Sequence, residues 1–357
     1  MSPENKSTLH TQTGSAAGAY RVAIVGAGTL KGKEVAEVLK DRGFPARDVK
    51  LLDDDESLGQ LEAVGDEVSF IQNATPDQFN KVDFSFFASE EKFTREHWKF
   101  AKNAGSAIID MSYALENEPG ASLRSPWIER ETAQLIAPEL QPAPVVIAHP
   151  AAVVLALIML RAQHAGALHN VVATIFEPAS EHGQRGMDEL HEQTVNLLSF
   201  QQMPRNVYDT QVAFNLVMRY GEKSLPSLET VERRVVDHYR RITNGNVPVP
   251  ALRLLQAPIF HGHAFSIYFE MQSPVALGDM AQSLAGEHVT ITRRAEDSPS
   301  NVNAAGQEEI LLSVSREVNR ENGFWIWAAA DNLRIAATTA VECAQSMTAA
   351  RPRGQIQ

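Results

Sequence analysis

Three groups of residues have the types and spacing to do chemistry. The first is Gly26-Ala27-Gly28-Thr29-Leu30-Lys31-Gly32. Glycines between a strand and a helix let the backbone approach a pyrophosphate, which then rests on the helix N-terminus. The spacing is one residue longer than the usual dinucleotide fingerprint, so two readings stay open. Either Gly26, Gly28, Thr29, Leu30 and Gly32 hold a dinucleotide, or they form a tight turn without a ligand. The second group is acidic, Asp53-Asp54-Asp55-Glu56. An acid about 20 residues past such glycines can accept from a ribose 2′-hydroxyl, and a run of acids repels a 2′-phosphate, so NAD is favoured over NADP. The alternative is a solvated loop. The third group is His261-Gly262-His263 with His149 and Glu177. Zinc takes such donors, but one acid–base histidine beside one surface histidine is the preferred reading, and no metal is expected.

These residues need elements to position them. Tyr20–Val25 reads as a strand, and Val35, Val38 and Leu39 then recur at helical spacing up to Gly43-Phe44-Pro45. Val49–Leu52 is a second strand, which completes a βαβ unit. Val68–Ile71, Phe84–Ala88 and Ala107–Asp110 are short apolar runs suited to strands buried on both faces of a parallel sheet, with a helix over Thr94–Ala104. Residues 20–151 therefore read as an α/β, doubly wound, Rossmann-type dinucleotide-binding domain. Beyond Pro150 the pattern mixes helices (Val153–Ala165, Met187–Phe200, Leu228–Ile242) with strands (Asn170–Phe176, Ala264–Met271, His288–Arg293). That predicts an α+β domain over 152–330, in which Trp325 and Trp327 sit on a strand. A final helix, Ala336–Ala349, within 331–357, is expected to pack back on the first domain, and residues 1–19 read as a disordered tail. Glu181-His182 and His191-Glu192 read as solvated helix ends rather than acid–base pairs.

The composition narrows the function. The chain has 357 residues, 44% of them hydrophobic and 21% charged, a profile for about two soluble domains. A net charge of −12 argues against a nucleic-acid surface. The longest apolar run, Ala151–Leu160, is too short for a membrane span. The N-terminal residues lack the apolar stretch of a secretory signal, so a cytoplasmic protein is expected. Cys343 is the single cysteine, which excludes a disulfide framework, and it reads as a small buried hydrophobe.

In order and spacing, several stretches resemble the aspartate-semialdehyde dehydrogenase family from Val22 to about Met347. They are Val22–Ala27, Arg42–Pro45, Ile109–Ser112, Pro138-Glu139, Glu192–Thr194, Ala213–Asn215, Gly262-His263 and Asp331–Arg334. The resemblance implies a dinucleotide domain, which Asn332 would help to complete, and a dimerisation and substrate domain, hence a homodimer. It also implies hydride exchange with a nicotinamide through an acyl-enzyme on a cysteine, with a histidine as acid–base and two arginines gripping the substrate. His263 matches the histidine. The family's Asn-Pro-Asn-Cys aligns with His149-Pro150-Ala151-Ala152, which puts Ala152 where the nucleophile stands. The two arginines align with Glu116 and Gln256, a pocket glutamine with Glu177, and a glutamate–x–lysine pair with Glu232 and Arg234.

A methyl group is no nucleophile, and the covalent route needs one. Each lost charge-assisted bond removes roughly 1.5–3 kcal/mol of substrate binding, and each added like charge opposes it further. The chain thus resembles the family's cysteine-less, Usg-like paralogues. Three readings follow. The first is a nucleotide- or partner-binding paralogue, which pairs with itself or with an active paralogue. The second is an enzyme using His263 and Glu177 as acid–base without a covalent intermediate. The third is the family's dehydrogenase activity itself.

Overall fold

The structure, a computed structural model, describes residues 20–54, 57–64, 67–134, 136, 143–224, 226–292 and 297–350. The expected tail 1–19, the end 351–357, Asp55, Glu56, Pro138-Glu139 and Arg293 lie outside the described residues. The first half alternates β1 (Tyr20–Val25), α1 (Leu30–Asp41), β2 (Ala46–Asp53), a hairpin of β3 (Leu61–Val64) and β4 (Glu67–Phe70), β5 (Gln72–Asn73), β6 (Phe84–Phe87), α2 (Glu91–Asn103), β7 (Ala107–Asp110), β8 (Ser122–Arg124), α3 (Pro126–Glu131) and β9 (Val145–Ile147). Seven of these strands form a parallel sheet in the order β5-β2-β1-β6-β7-β9-β8. β1, β6 and β7 are buried at nearly every position because helices cover both faces, as the unbroken apolar runs predict.

One strand expectation is corrected. Val68–Ile71 was read as a doubly buried parallel strand. Instead, β4 pairs antiparallel with β3 in a separate two-stranded sheet, and Phe70 is 61% exposed. A four-residue apolar run has the same pattern in a hairpin as in a core strand, and only its partners distinguish them.

The second half follows as α4 (Pro150–His164), β10 (Leu168–Glu177), α5 (Gly183–Leu198), α6 (Leu228–Thr243), β11 (Ala251–Gln256), β12 (His263–Met271), α7 (Leu277–Leu284), β13 (Val289–Ile291), α8 (Asn301–Ala304), β14 (Ile310–Arg316), β15 (Gly323–Ala330) and α9 (Asn332–Thr348). Its six-stranded mixed sheet runs β11-β10-β12-β15-β14-β13. β11 and β14, which the sequence reading did not single out, flank the expected strands. α4 is buried along nearly its whole length, which explains why it carries no polar stripe. α9 returns to the first sheet: Ala336, Ala337, Ala340, Val341 and Ala344 share one core cluster with Val22, Ile24, Val35 and Val38. Its small residues let two helices approach closely over that face. No helix among the described residues is long and apolar enough to cross a membrane.

Candidate functional site

Two helix N-termini organise the candidate residues. At α1, the turn after β1 is set by sterics. Gly26 has φ +85°, and a Cβ there would lie 2.5 Å from Ser89 N. A Cβ on Gly32 would lie 2.1 Å from the Gly26 carbonyl oxygen. The turn therefore needs glycine at both positions whether or not a ligand binds. Thr29 caps α1. Its Oγ1 accepts from Gly32 N at 3.0 Å and donates to Gly26 O at 2.8 Å. The first-turn amides of Leu30 and Lys31 have no acceptor within the helix. Gly28 N donates to Asp53 Oδ2 at 2.8 Å, and Asp54 N donates to Oδ1 at 3.0 Å. Burial raises the Asp53 carboxyl above its ordinary value despite both bonds. The residues fit a dinucleotide: a Cβ-free cradle, two first-turn amides and an acid at the end of β2. A ribose would have to share Asp53 with the Gly28 amide.

At α4, His149 is the N-cap and its Nδ1 accepts from Ala151 N at 3.2 Å. That bond leaves the proton of the neutral ring on Nε2. The His149 amide donates to His238 Nδ1 at 2.9 Å, which fixes the His238 proton on Nε2 in the same way. His149 and His263 are both buried, with ring centroids 5.9 Å apart. Ala152, fully buried, sits in the first turn of this helix.

Between the two imidazoles lies Glu181, which was expected to be a solvated helix end. That expectation is corrected: the Glu181 side chain is only 6% exposed, and His182 beside it is buried too. Glu181 Oε2 is 3.9 Å from His149 Nε2, and Oε1 is 3.9 Å from His263 Nε2. Asn332 Nδ2 donates to Oε1 at 3.0 Å. Burial pushes the Glu181 carboxyl up, but His149, Lys31, His263 and the Asn332 amide outweigh it and hold it down to about 2. Burial also drives the His149 imidazole well below its usual range, toward the neutral form. His191-Glu192, by contrast, is exposed as expected, but in the middle of α5 rather than at a helix end.

A second carboxylate, Glu116, flanks the cleft. Its loop is templated by Asp110, which accepts from Ser112 N at 2.8 Å, Ser112 Oγ at 2.6 Å and Leu115 N at 2.8 Å. Tyr113 in that loop adopts φ +66° and stacks on His149, with Arg234 over its other surroundings at 4.7 Å from the centroid. Arg234 grips Glu116 through Nε at 2.9 Å and Nη2 at 3.2 Å, and reaches Glu91 at 2.9 Å. His238 Nε2 lies 3.4 Å from Glu116 Oε2, a long contact. Against burial, His238 and Arg234 hold the Glu116 carboxyl down to about 2. Glu116 is thus a paired carboxylate and not a free negative charge facing the cleft.

Glu177 and Gln256 join a different buried knot. Tyr220 donates to Gln256 Oε1 at 2.7 Å, and Gln256 Nε2 donates to the carbonyls of Glu177 (3.1 Å) and Ala257 (2.7 Å). His182 Nε2 is 2.7 Å from Tyr220 OH and 3.1 Å from Glu177 Oε1. Its alignment favours the tyrosine, and neither Glu177 carboxylate oxygen has a hydrogen bond among the described residues. Glu232 stands apart and accepts from Leu254 N at 2.9 Å, which ties α6 to β11. The structure therefore brings His149, His263 and Asn332 together around Glu181, puts Ala152 in the helix turn that His149 caps, sets Glu116 and Arg234 nearby through Tyr113 and His238, and gives Glu177 and Gln256 their own cluster. The pairing of His263 with Glu177 is replaced by His263 with Glu181. Tyr113 and His238 went unread in the sequence, Glu181 read only as a solvated charge and Lys31 only as part of the glycine turn. Of these, only His238, four residues past Arg234 on one face of α6, carried a signal. No group of three or more metal-ligating side chains forms among the described residues.

A parallel-sheet domain with a glycine turn, joined to a mixed-sheet domain by a buried helix whose capping residue lies against a histidine, makes a two-domain α/β protein of the dinucleotide-binding type. The semialdehyde dehydrogenase NAD binding domain matches residues 21–148, and the semialdehyde dehydrogenase dimerisation domain matches 158–335. The chain belongs to this semialdehyde dehydrogenase family. It is 25% identical over 337 residues to an aspartate-semialdehyde dehydrogenase of Rickettsia bellii, covering 92% of this chain and 97% of the relative. It is 28% identical over 325 residues to a USG-1 protein homolog of Pseudomonas aeruginosa, covering 88% and 93%. The solved structure of a probable aspartate-semialdehyde dehydrogenase from Pseudomonas aeruginosa superposes with a TM-score of 0.81 at 25% identity, covering 92% of this chain and 98% of that one.

Proposed function

We propose that this chain is a dinucleotide-binding, dimeric member of the family that does not perform the thiol-dependent reduction of an acyl phosphate. The observation that carries this reading is the start of α4. Ala152 stands in the first turn of α4, which His149 caps, and it has no nucleophilic atom; the capping His149 ring in turn lies against His263. The chain's single thiol, Cys343, is buried in the α9 core, where burial pushes it far above the range of a reactive cysteine. The cleft also carries the Glu181 carboxylate, which opposes an anionic substrate.

NAD is favoured over NADP because Asp53 and Asp54 end β2 beside Gly28. Bound there, the dinucleotide would supply a hydride acceptor, and this chain's residues would do the holding: the Leu30 and Lys31 amides for the pyrophosphate and Asp53 for the ribose. The dimerisation domain supports a homodimer, and an active paralogue is an alternative partner.

The deciding assay measures aspartate-semialdehyde oxidation with phosphate and NAD or NADP, for wild type and Ala152→Cys. Neither is expected to turn over. Substrate oxidation by wild type would overturn the reading, and activity in A152C alone would show that only the sulfur is missing. Calorimetric titration settles the cofactor: NAD is expected to bind at least tenfold more tightly than NADP, and the reverse order would refute the role given to Asp53.

A further inference from the structure

Glu181 hydrogen-bonds fewer of the groups around it than its two oxygens could accept. His149 points an N–H bearing Nε2 toward it, because the cap bond from Ala151 N occupies Nδ1. His263 Nε2 is buried and has no hydrogen bond among the described residues, and it faces the other carboxylate oxygen. Asn332 can offer only its NH2, since its Oδ1 accepts from Ser180 Oγ at 3.1 Å and Gly262 N at 3.2 Å. Lys31, in the first turn of α1, donates through Nζ to the Met111 carbonyl at 3.4 Å and lies 5.1 Å from the centre of the Tyr113 ring that stacks on His149, from where its charge helps hold the Glu181 carboxyl down. Of these groups only Asn332 makes a hydrogen bond to Glu181. Both imidazole contacts, at 3.9 Å, are too long. Held by its own backbone, the Glu181 carboxylate stops short of both imidazoles, whereas a free oxyanion can shift to meet all three groups.

We propose that the start of α4, with His149, His263, Asn332 and Lys31, is a binding site for a small oxyanion, and that Glu181 is an occupant the chain supplies to its own site. This deepens the function proposed above and rests on it for the location of the ligand cleft. Glu181 lies in a short turn, Ala179–His182, directly before Gly183, which has φ +66° and open space where a Cβ would be.

The test titrates inorganic phosphate into wild type, Glu181→Ala and Glu181→Gln by calorimetry at pH 7 and constant ionic strength. Phosphate is expected to bind E181A at least tenfold more tightly than wild type, with E181Q between them because its amide still fills space. Adding His263→Ala to E181A should weaken phosphate at least fivefold. Acetate, a carboxylate supplied in trans, should raise the melting temperature of E181A by several degrees more than equimolar chloride does, and leave wild type unmoved. Equal phosphate affinity in wild type and E181A, or no binding to E181A, would overturn the proposal. If E181A does not fold, E181Q decides alone, and affinity no higher than that of wild type overturns it. Dehydrogenase activity in wild type would remove the function proposed above, while the ranking of E181A, E181Q and wild type for phosphate would still judge the role of Glu181.

Discussion

The two helix starts of this molecule, at α1 and at α4, solve the same problem with opposite materials. Both follow a parallel strand and both leave first-turn amides without helical acceptors. At α1 the cap is a threonine hydroxyl, the turn is glycine, and Asp53 accepts the backbone amides of Gly28 and Asp54. At α4 the cap is an imidazole, the first turn is proline and alanine, and the acids arrive from distant segments: Glu181 before α5, and Glu116 after β7 held by Arg234. The α1 turn is built from local backbone geometry and the α4 cleft from long-range side-chain electrostatics. A short contiguous motif can specify the first, whereas the second exists only once the two domains pack.

Three measurements would break or sharpen that contrast. The largest effect is expected from Gly32→Ala, because the added methyl meets backbone with no flexible atom to yield. Overpacking of this kind costs about 3 kcal/mol, read as a drop in the urea midpoint. A loss below about 1 kcal/mol would mean that the turn relaxes and is not sterically fixed.

The second concerns acid. Glu116 and Glu181, each held at about 2 against an ordinary 4.5, contribute stability that is present above pH 4.5 and is lost as pH falls toward 2. His149, depressed below 6.5, acts in the same direction, since charging it in its buried position is unfavourable. Asp53 is raised above 3.8 and has the opposite sign, so its contribution improves as pH falls. The melting temperature should therefore fall steeply on acidification from about pH 6. Glu116→Gln and Glu181→Gln should flatten that limb, and Asp53→Asn should not. Flattening by D53N alone would place the acid sensitivity in the turn. The smallest effect is expected from Thr29→Ala. Removing the cap bond to Gly32 should cost about 1 kcal/mol by chemical denaturation, the usual value for such a cap.

Much of this was written along the chain. The strand Tyr20–Val25, the glycine turn, the helix that follows it and the acid at the end of β2 were legible because their signals lie within a few residues, in apolar period and turn chemistry. The alignment of Ala152 with the family's cysteine and of His263 with its acid–base histidine comes from family resemblance alone. The hairpin at Val68 was not, since hairpin and core strand share one pattern until a pairing partner is known. Glu116 read as a free negative charge, because nothing near it in sequence announces Arg234, more than a hundred residues away. Glu181 read as a surface charge for the same reason. Its burial comes from a turn wedged between the starts of α4, β12 and α9. The amino-acid order by itself determined the frame and the glycine turn, because these depend on apolar period and on the local conformation of single residues. Only the tertiary structure decided which carboxylates are paired, which imidazole nitrogen carries a proton and what stands between His149 and His263, because those depend on partners the chain meets after it has folded.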